Sequence, residues 1–274
     1  METGIRTELE KYGFATIDYP SNLTRLVADA MESWKKFCKL PLDIKSRFTY
    51  TNDYATGYEF KDEIGETKDQ KENFHFILDD LPRLFKIAKQ NNIDGSFVSR
   101  AETLLNGIED SICGFAGLLE REFNIKGLRD EVYLSKGHWL LRYLHYFSGS
   151  TYGKVIAFHH CDKVGLTMYL GETTHGVEYY SQNHKWLTMP VLSGQTIITP
   201  DLQIQYKTHG ELKALYHRVV ANEKAAKEGR YSIVCFIPFV KTSFTNKERI
   251  GRMQDMPLAF NYDMPFERFS KLFD

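Results

Sequence analysis

His160 and Asp162 stand two residues apart in FHHCDKVGLTMYL, within a β-branched and aromatic run that predicts a strand. Alternate side chains of a strand point to one face, so this imidazole and this carboxylate can reach one point in space. His217, in LYHRVVAN, lies on a later predicted strand and is expected to supply a third donor from across the fold. Two imidazoles and a carboxylate on one side of an ion suit non-haem iron(II), with positions left open for a co-substrate and dioxygen. Zinc accepts the same donors, so a zinc-dependent hydrolase is the rival that these three residues leave open. With nine histidines in the chain, an HxD pair alone is weak evidence. His159 should face the other side of the strand and is assigned to the core or to the surroundings of the site.

Arg230 and Ser232, in EGRYSIVCFIPF, follow His217 by thirteen and fifteen positions and share a strand face. A guanidinium fork inside an apolar barrel is costly unless paired, and the distal carboxylate of a dicarboxylic acid would pair with it bidentately. The other reading is an internal salt bridge to a protein carboxylate, although the adjoining IVCFIPF offers no acid.

These residues need a rigid frame. From about Gly137, the segments WLLRYLHYF, VIAFHHCD, VGLTMYL, VEYYS, KWLTMPV, QTIITP, LQIQYKT, YHRVVA and YSIVCFIPFV read as short strands separated by turn residues. Eight or nine strands without intervening helices predict a sandwich or jelly roll. Upstream, GFATIDYP reads as a strand, and SNLTRLVADAMESWKKFCKLP as an amphipathic helix capped by Ser21 and stopped by Pro41. The aperiodic stretch 50–76 reads as an ordered loop, and 81–93 and 96–123 as a helical pair. The fold class expected is therefore mainly β with flanking helices. A helical N-terminal region (1–136) would pack on a jelly-roll core (137–240), and a C-terminal segment (241–274) would lie near the active site, all as one structural unit.

Composition narrows the partners. Thirty-five basic and 36 acidic side chains give a formal charge of -1, so no field gathers nucleic acid or anionic lipid, and a small-molecule substrate is expected. No stretch reads as a membrane span, and METGIRTELEKYG lacks the apolar segment of a secretory signal, which predicts a cytoplasmic location. Four scattered cysteines form no CxxC and suit reduced thiols in a compartment where iron(II) persists.

Taken in order, the motifs resemble the isopenicillin-N-synthase-like branch of the 2-oxoglutarate and iron(II)-dependent dioxygenases over nearly the whole length. GFATIDYP, FCKLPLDIKSRF, GYEF and DQKENFHF resemble that branch's opening strand, helix end and following loop. HCDKVGLT resembles its HxDxxxLT block, HKWLTMPVLSGQTIITPD its DGxWxxVPPxPG segment, and HRVVAN…GRYSIVCFIPF its HRVxxN…RxSxxxFxxP ending.

The resemblance implies a double-stranded β-helix, with His160, Asp162 and His217 as iron ligands and Arg230 and Ser232 binding the C5 carboxylate of 2-oxoglutarate. Tyr146, in RYLHYF, resembles the tyrosine of the NxYP motif and would bond the same carboxylate, while Leu144 and Phe147 depart from that motif. Iron(II), 2-oxoglutarate and dioxygen would hydroxylate or desaturate a small molecule, releasing succinate and CO2. The carboxylate of Asp162 speaks against a halogenase. An oxidase of the same fold that does without 2-oxoglutarate stays as the alternative, since such enzymes also carry the RxS pair. The substrate is expected at the barrel mouth, near Tyr58, Arg142, Phe158 and Tyr169, under the 50–76 loop and the segment from Lys241 onward.

Overall fold

Strand parity and helical periodicity divide the chain as the residue types suggest, with instructive exceptions. The computed structural model of the chain describes residues 4–50, 55–62, 70–239, 250–251 and 262–273. The N-terminal part holds α1 (Ile5–Tyr12), β1 (Ala15–Asp18), α2 (Ser21–Cys38), α3 (Leu42–Lys45), β2 (Gly57–Asp62), β3 (Gln70–Phe76), α4 (Leu81–Gln90), α5 (Ser96–Gly107), α6 (Glu109–Glu122) and α7 (Leu128–Leu134). There follow β4 (Leu140–Tyr146), β5 (Val155–Asp162), β6 (Leu166–Glu172), β7 (Val177–Tyr180), β8 (Trp186–Thr188) and β9 (Gln195–Pro200). The remaining elements are α8 (Leu202–Lys207), β10 (His217–Val220), α9 (Glu223–Glu228), β11 (Arg230–Ile237), β12 (Ile250–Gly251) and α10 (Phe266–Ser270).

The strands form two antiparallel sheets, ordered β1-β9-β6-β11-β4-β3-β2 and β12-β5-β10-β7-β8. This mainly antiparallel arrangement with flanking helices is the double-stranded β-helix architecture expected from the sequence.

Three expectations are corrected. The stretch 50–76 is not simply a loop, because Gly57–Asp62 and Gln70–Phe76 pair antiparallel and extend the larger sheet beside β4. Its aperiodic look has a physical cause: β3 is buried almost throughout, so polar and apolar residues alike face inward. LQIQYKT is the helix α8 rather than a strand. Its β-rich composition reflects burial of Leu202 and Ile204, and tertiary packing overrides the propensity. Ser21 begins α2 without capping it, since Pro20 holds the cap position with no side-chain hydrogen bond. The segment from Lys241 onward lies largely outside the described residues.

The larger sheet separates two cores by alternation. On β11, Ile233, Cys235 and Ile237 join the cluster formed with α2, α5 and α6, which includes Leu23, Trp34, Leu104 and Phe115. Each fully buried side chain of that layer contributes about 2 kcal/mol. The intervening Arg230, Ser232, Val234 and Phe236 face the cavity on the other side. Trp34 Nε1 donates to the Leu144 carbonyl at 3.0 Å and ties α2 to the back of β4. Asn222 caps α9 by accepting from the Ala225 amide. Gly229 (φ 80°) then turns the chain into β11, where a Cβ would meet the Tyr146 carbonyl at 2.8 Å. Among the described residues, no helix is long and apolar enough to cross a membrane.

Candidate metal and carboxylate site

The smaller sheet carries the triad. His160 and Asp162 end β5 and share a face, as their spacing predicts, but His217 does not come from across the fold. It lies on the adjoining strand β10, directly opposite His160, with the ring centroids 4.3 Å apart. Each imidazole is oriented by its own backbone: His160 Nδ1 lies 2.5 Å from the Phe158 carbonyl and His217 Nδ1 3.1 Å from that of Leu215. A carbonyl only accepts, so Nδ1 carries the proton in both rings and Nε2 keeps its lone pair for a cation.

One ligand atom from each of His160, Asp162 and His217 lies within 4.8 Å of the others, and His160 Nε2 is 3.6 Å from Asp162 Oδ1. That Oδ1 is buried and has no hydrogen-bond partner, a costly state for a carboxylate oxygen. Burial, aided by the neighbouring His217, pushes the His160 pKa well below its ordinary value. Burial likewise raises that of Asp162, against opposing pulls from His217, Thr167 and Arg142. A divalent cation among the three would satisfy the orphaned oxygen and favour both ligand forms, so the donor set fits iron(II). His159 points away and packs its ring against Tyr216 and Trp186.

A second carboxylate supports the first. Thr167 Oγ1 lies 3.0 Å from Asp162 Oδ2 and 2.7 Å from Asp201 Oδ2, yet a hydroxyl has one proton to give. Burial and the charge of Asp162 hold the Asp201 pKa well above its ordinary value. A protonated Asp201 would donate to Thr167 and leave the threonine proton for Asp162.

The larger sheet faces the triad with Arg142, Leu144 and Tyr146 of β4, Tyr169 of β6, and Arg230, Ser232, Val234 and Phe236 of β11. Arg230 Nη1 donates to Ser232 Oγ at 3.0 Å, as a shared face requires. Its Nη2 meets Glu172 Oε2 at 2.6 Å, and its Nε donates to the Thr174 carbonyl at 3.1 Å. The internal salt bridge left open by the sequence is thus present, and its acid comes from the neighbouring strand β6, where Glu172 pairs with Ser232. Five guanidinium N–H groups against these three partners leave one N–H on each terminal nitrogen for a ligand. Tyr146 pairs with Arg230 across β4 and β11, with the guanidinium 5.7 Å from its ring centre.

Phe158 also lines the cavity, and Tyr58 does not. Tyr58 faces the helical side, where its hydroxyl donates to Glu72 at 2.7 Å. Sequence reasoning missed Lys71, which lines the cavity from β3, and Glu172. For Lys71 a signal existed, since Lys71, Asn73 and His75 alternate in QKENFHF, but it is usable only once that segment is known to be a strand.

Residues 138–238 match the family model described as the 2OG-Fe(II) oxygenase superfamily. The matched stretch runs from β4 to β11 and holds His160, Asp162, His217, Arg230 and Ser232; the enzymes of that superfamily use iron(II), 2-oxoglutarate and dioxygen. Among solved structures, Neurospora crassa T7H in complex with 2-oxoglutarate is similar at 20% identity and a TM-score of 0.72, covering 88% of this chain and 80% of that one. The dioxygenase for auxin oxidation 1 of Arabidopsis thaliana, also a 2-oxoglutarate complex, is similar at 19% identity and a TM-score of 0.72, covering 88% of each chain. A rice dioxygenase for auxin oxidation follows at 17% identity and a TM-score of 0.67, covering 85% of this chain and 76% of that one. At such identities the likeness establishes the fold. No curated protein sequence matches the chain.

Proposed function

We propose that His160, Asp162 and His217 hold iron(II), and that Arg230, Ser232 and Tyr146 hold the C5 carboxylate of 2-oxoglutarate. The enzyme would be one of the isopenicillin-N-synthase-like branch that hydroxylates or desaturates a small organic molecule. The observation that carries this reading is the buried, unpartnered Asp162 Oδ1 beside two imidazoles whose Nδ1 atoms are committed to carbonyls.

Iron(II) with 2-oxoglutarate and dioxygen supplies the oxidising power, releasing succinate and CO2. The chain's own residues do the positioning. Thr167 holds Asp162 in one orientation by donating its hydroxyl proton to Oδ2. The remaining N–H groups of Arg230 present a fork to a carboxylate, and Ser232 fixes the plane of that fork. Leu144, Phe158, Val234 and Phe236 make the rest of the wall apolar, which keeps water from the reacting C–H bond. A small-molecule substrate is supported by Neurospora T7H, which binds thymine and 5-formyluracil in its crystals. Neither nucleic acid nor a membrane surface is a partner, on the near-neutral charge. Four free cysteines suit a reducing cytoplasm.

The test is a screen of small metabolites for stimulated succinate release, using protein prepared without oxygen and then supplied with iron(II), 2-oxoglutarate and air. One succinate per product is expected. Dioxygen uptake with product but no succinate would transfer the chain to the oxidase alternative, and metal-dependent hydrolysis without dioxygen uptake would overturn both.

A further inference from the structure

The two arginines that line the cavity differ in one respect. Arg230 is compensated by Glu172, whereas among the described residues no carboxylate hydrogen-bonds Arg142. Its Nε is buried without a hydrogen-bond partner, its guanidinium stacks 4.7 Å from the centre of the Phe236 ring, and the rest of the side chain opens on the cavity. The acids whose charges act on it most, Asp162 and Glu59, are engaged elsewhere. Asp162 belongs to the triad and accepts from Thr167; Glu59 meets Lys61 at 3.3 Å and accepts from Asn73 at 3.1 Å.

A second donor waits beside it. Val234 of β11 pairs with Arg142 on one side and with Tyr169 on the other, so the three form one transverse row facing the cavity. The Tyr169 hydroxyl is buried and also lacks a partner. A phenol carries its proton at neutral pH, so this hydroxyl is available as a donor. Leaving two such donors unfilled is costly, and a planar anion would satisfy both. The Arg230 subsite lies further along the sheet: Arg142 and Tyr146, which pairs with Arg230, are four residues apart on β4, about 13 Å.

We propose that Arg142 and Tyr169 form a second carboxylate subsite, which binds the acid group of the organic substrate, so that the enzyme oxidises a carboxylic acid. This rests on the function proposed above. Phe158, Val234 and Phe236 provide the apolar surface against which the body of such an acid packs.

The experiment uses full-length protein saturated with manganese(II) and 2-oxoglutarate without oxygen. It is titrated calorimetrically with benzoate, phenylacetate and 3-phenylpropionate, and with the amide of each. At least one acid should bind about ten-fold or more tightly than its amide. Arg142→Gln should reduce that preference to within about two-fold while leaving 2-oxoglutarate affinity within about two-fold. Arg142→Lys, which keeps the cation, should retain part of the preference, and Tyr169→Phe should weaken acid binding alone. No preference in the parent protein, or one that persists in Arg142→Gln, overturns the subsite. A large loss of 2-oxoglutarate affinity in Arg142→Gln would also overturn it and make Arg142 the co-substrate's anchor. Failure of the parent protein to bind manganese and 2-oxoglutarate at all is a separate result, and it would defeat the functional reading itself.

Discussion

Arg230 and Glu172 form an ion pair at 2.6 Å in which the two side chains are only 3% and 1% exposed. Glu172 Oε1 is in turn held by His175 Nδ1 at 2.7 Å and by the Val191 amide at 3.2 Å, so the acid is fixed from both ends. The arginine that would receive 2-oxoglutarate is therefore already neutralised and oriented before any ligand arrives.

Glu172→Gln removes that charge and keeps the shape. The buried guanidinium loses its counter-ion, so the ligand-free protein should be less stable, with a lower melting temperature. An added carboxylate would then supply the missing charge. 2-Oxoglutarate should raise the melting temperature of this variant more than that of the parent protein, and an equal rise would show that Glu172 and the co-substrate do not share Arg230.

Arg230→Ala removes the cation itself. Calorimetry should show 2-oxoglutarate affinity falling by about ten-fold or more, since an ionised acceptor loses a charged donor. Manganese(II) affinity measured without 2-oxoglutarate should stay unchanged.

Asp162→Ala should separate binding from stability. Loss of one of three ligands should lower manganese(II) affinity by about a hundred-fold or more, as read by electron paramagnetic resonance. The metal-free variant should melt no lower than the parent protein, because an orphaned buried carboxylate oxygen is gone. A clear drop in melting temperature would mean that Asp162 is there chiefly for the fold.

Asp201→Asn tests the proton assigned to Asp201. The amide nitrogen can donate to Thr167 as a protonated acid would, and its oxygen can accept from Thr199, which lies 3.1 Å from Asp201 Oδ1. Metal affinity should stay within about three-fold, whereas Asp201→Ala and Thr167→Val should each lose about ten-fold or more by freeing Asp162. Equal losses in Asn and Ala variants would require an ionised Asp201.

Glu72 sets an acid limit on the helical side of the larger sheet. Burial would raise its pKa, but hydrogen bonds from His145, Lys45 and Tyr58 outweigh that and bring it from 4.5 down to about 2. A folded-state pKa below the unfolded one contributes stability that is full above about 4.5 and fades as the pH falls towards about 2. Denaturant midpoints measured across that window should decline in the parent protein and flatten in Glu72→Gln. Cys38 joins Glu72 and His145 in the same cluster, but Lys45 and Tyr58 already occupy the carboxylate oxygen they share.

Much of the site was legible because parity along a strand is a local property. His160 with Asp162, and Arg230 with Ser232, share faces whatever the strands pair with. The errors arose where burial rather than sequence texture decided the element. QKENFHF is a strand despite its charges, because its lysine and glutamate find partners inside, and LQIQYKT is a helix despite its β-rich composition.

By itself the sequence determined which donors exist, their spacing, and hence the metal and anion chemistry they suit. Only the tertiary structure decided that His217 is the cross-strand neighbour of His160, that Glu172 neutralises Arg230, and that Arg142 and Tyr169 flank Val234 with unfilled donors. The reason is that strand partners are chosen by long-range pairing and burial, which join residues tens of positions apart and leave no mark in local spacing.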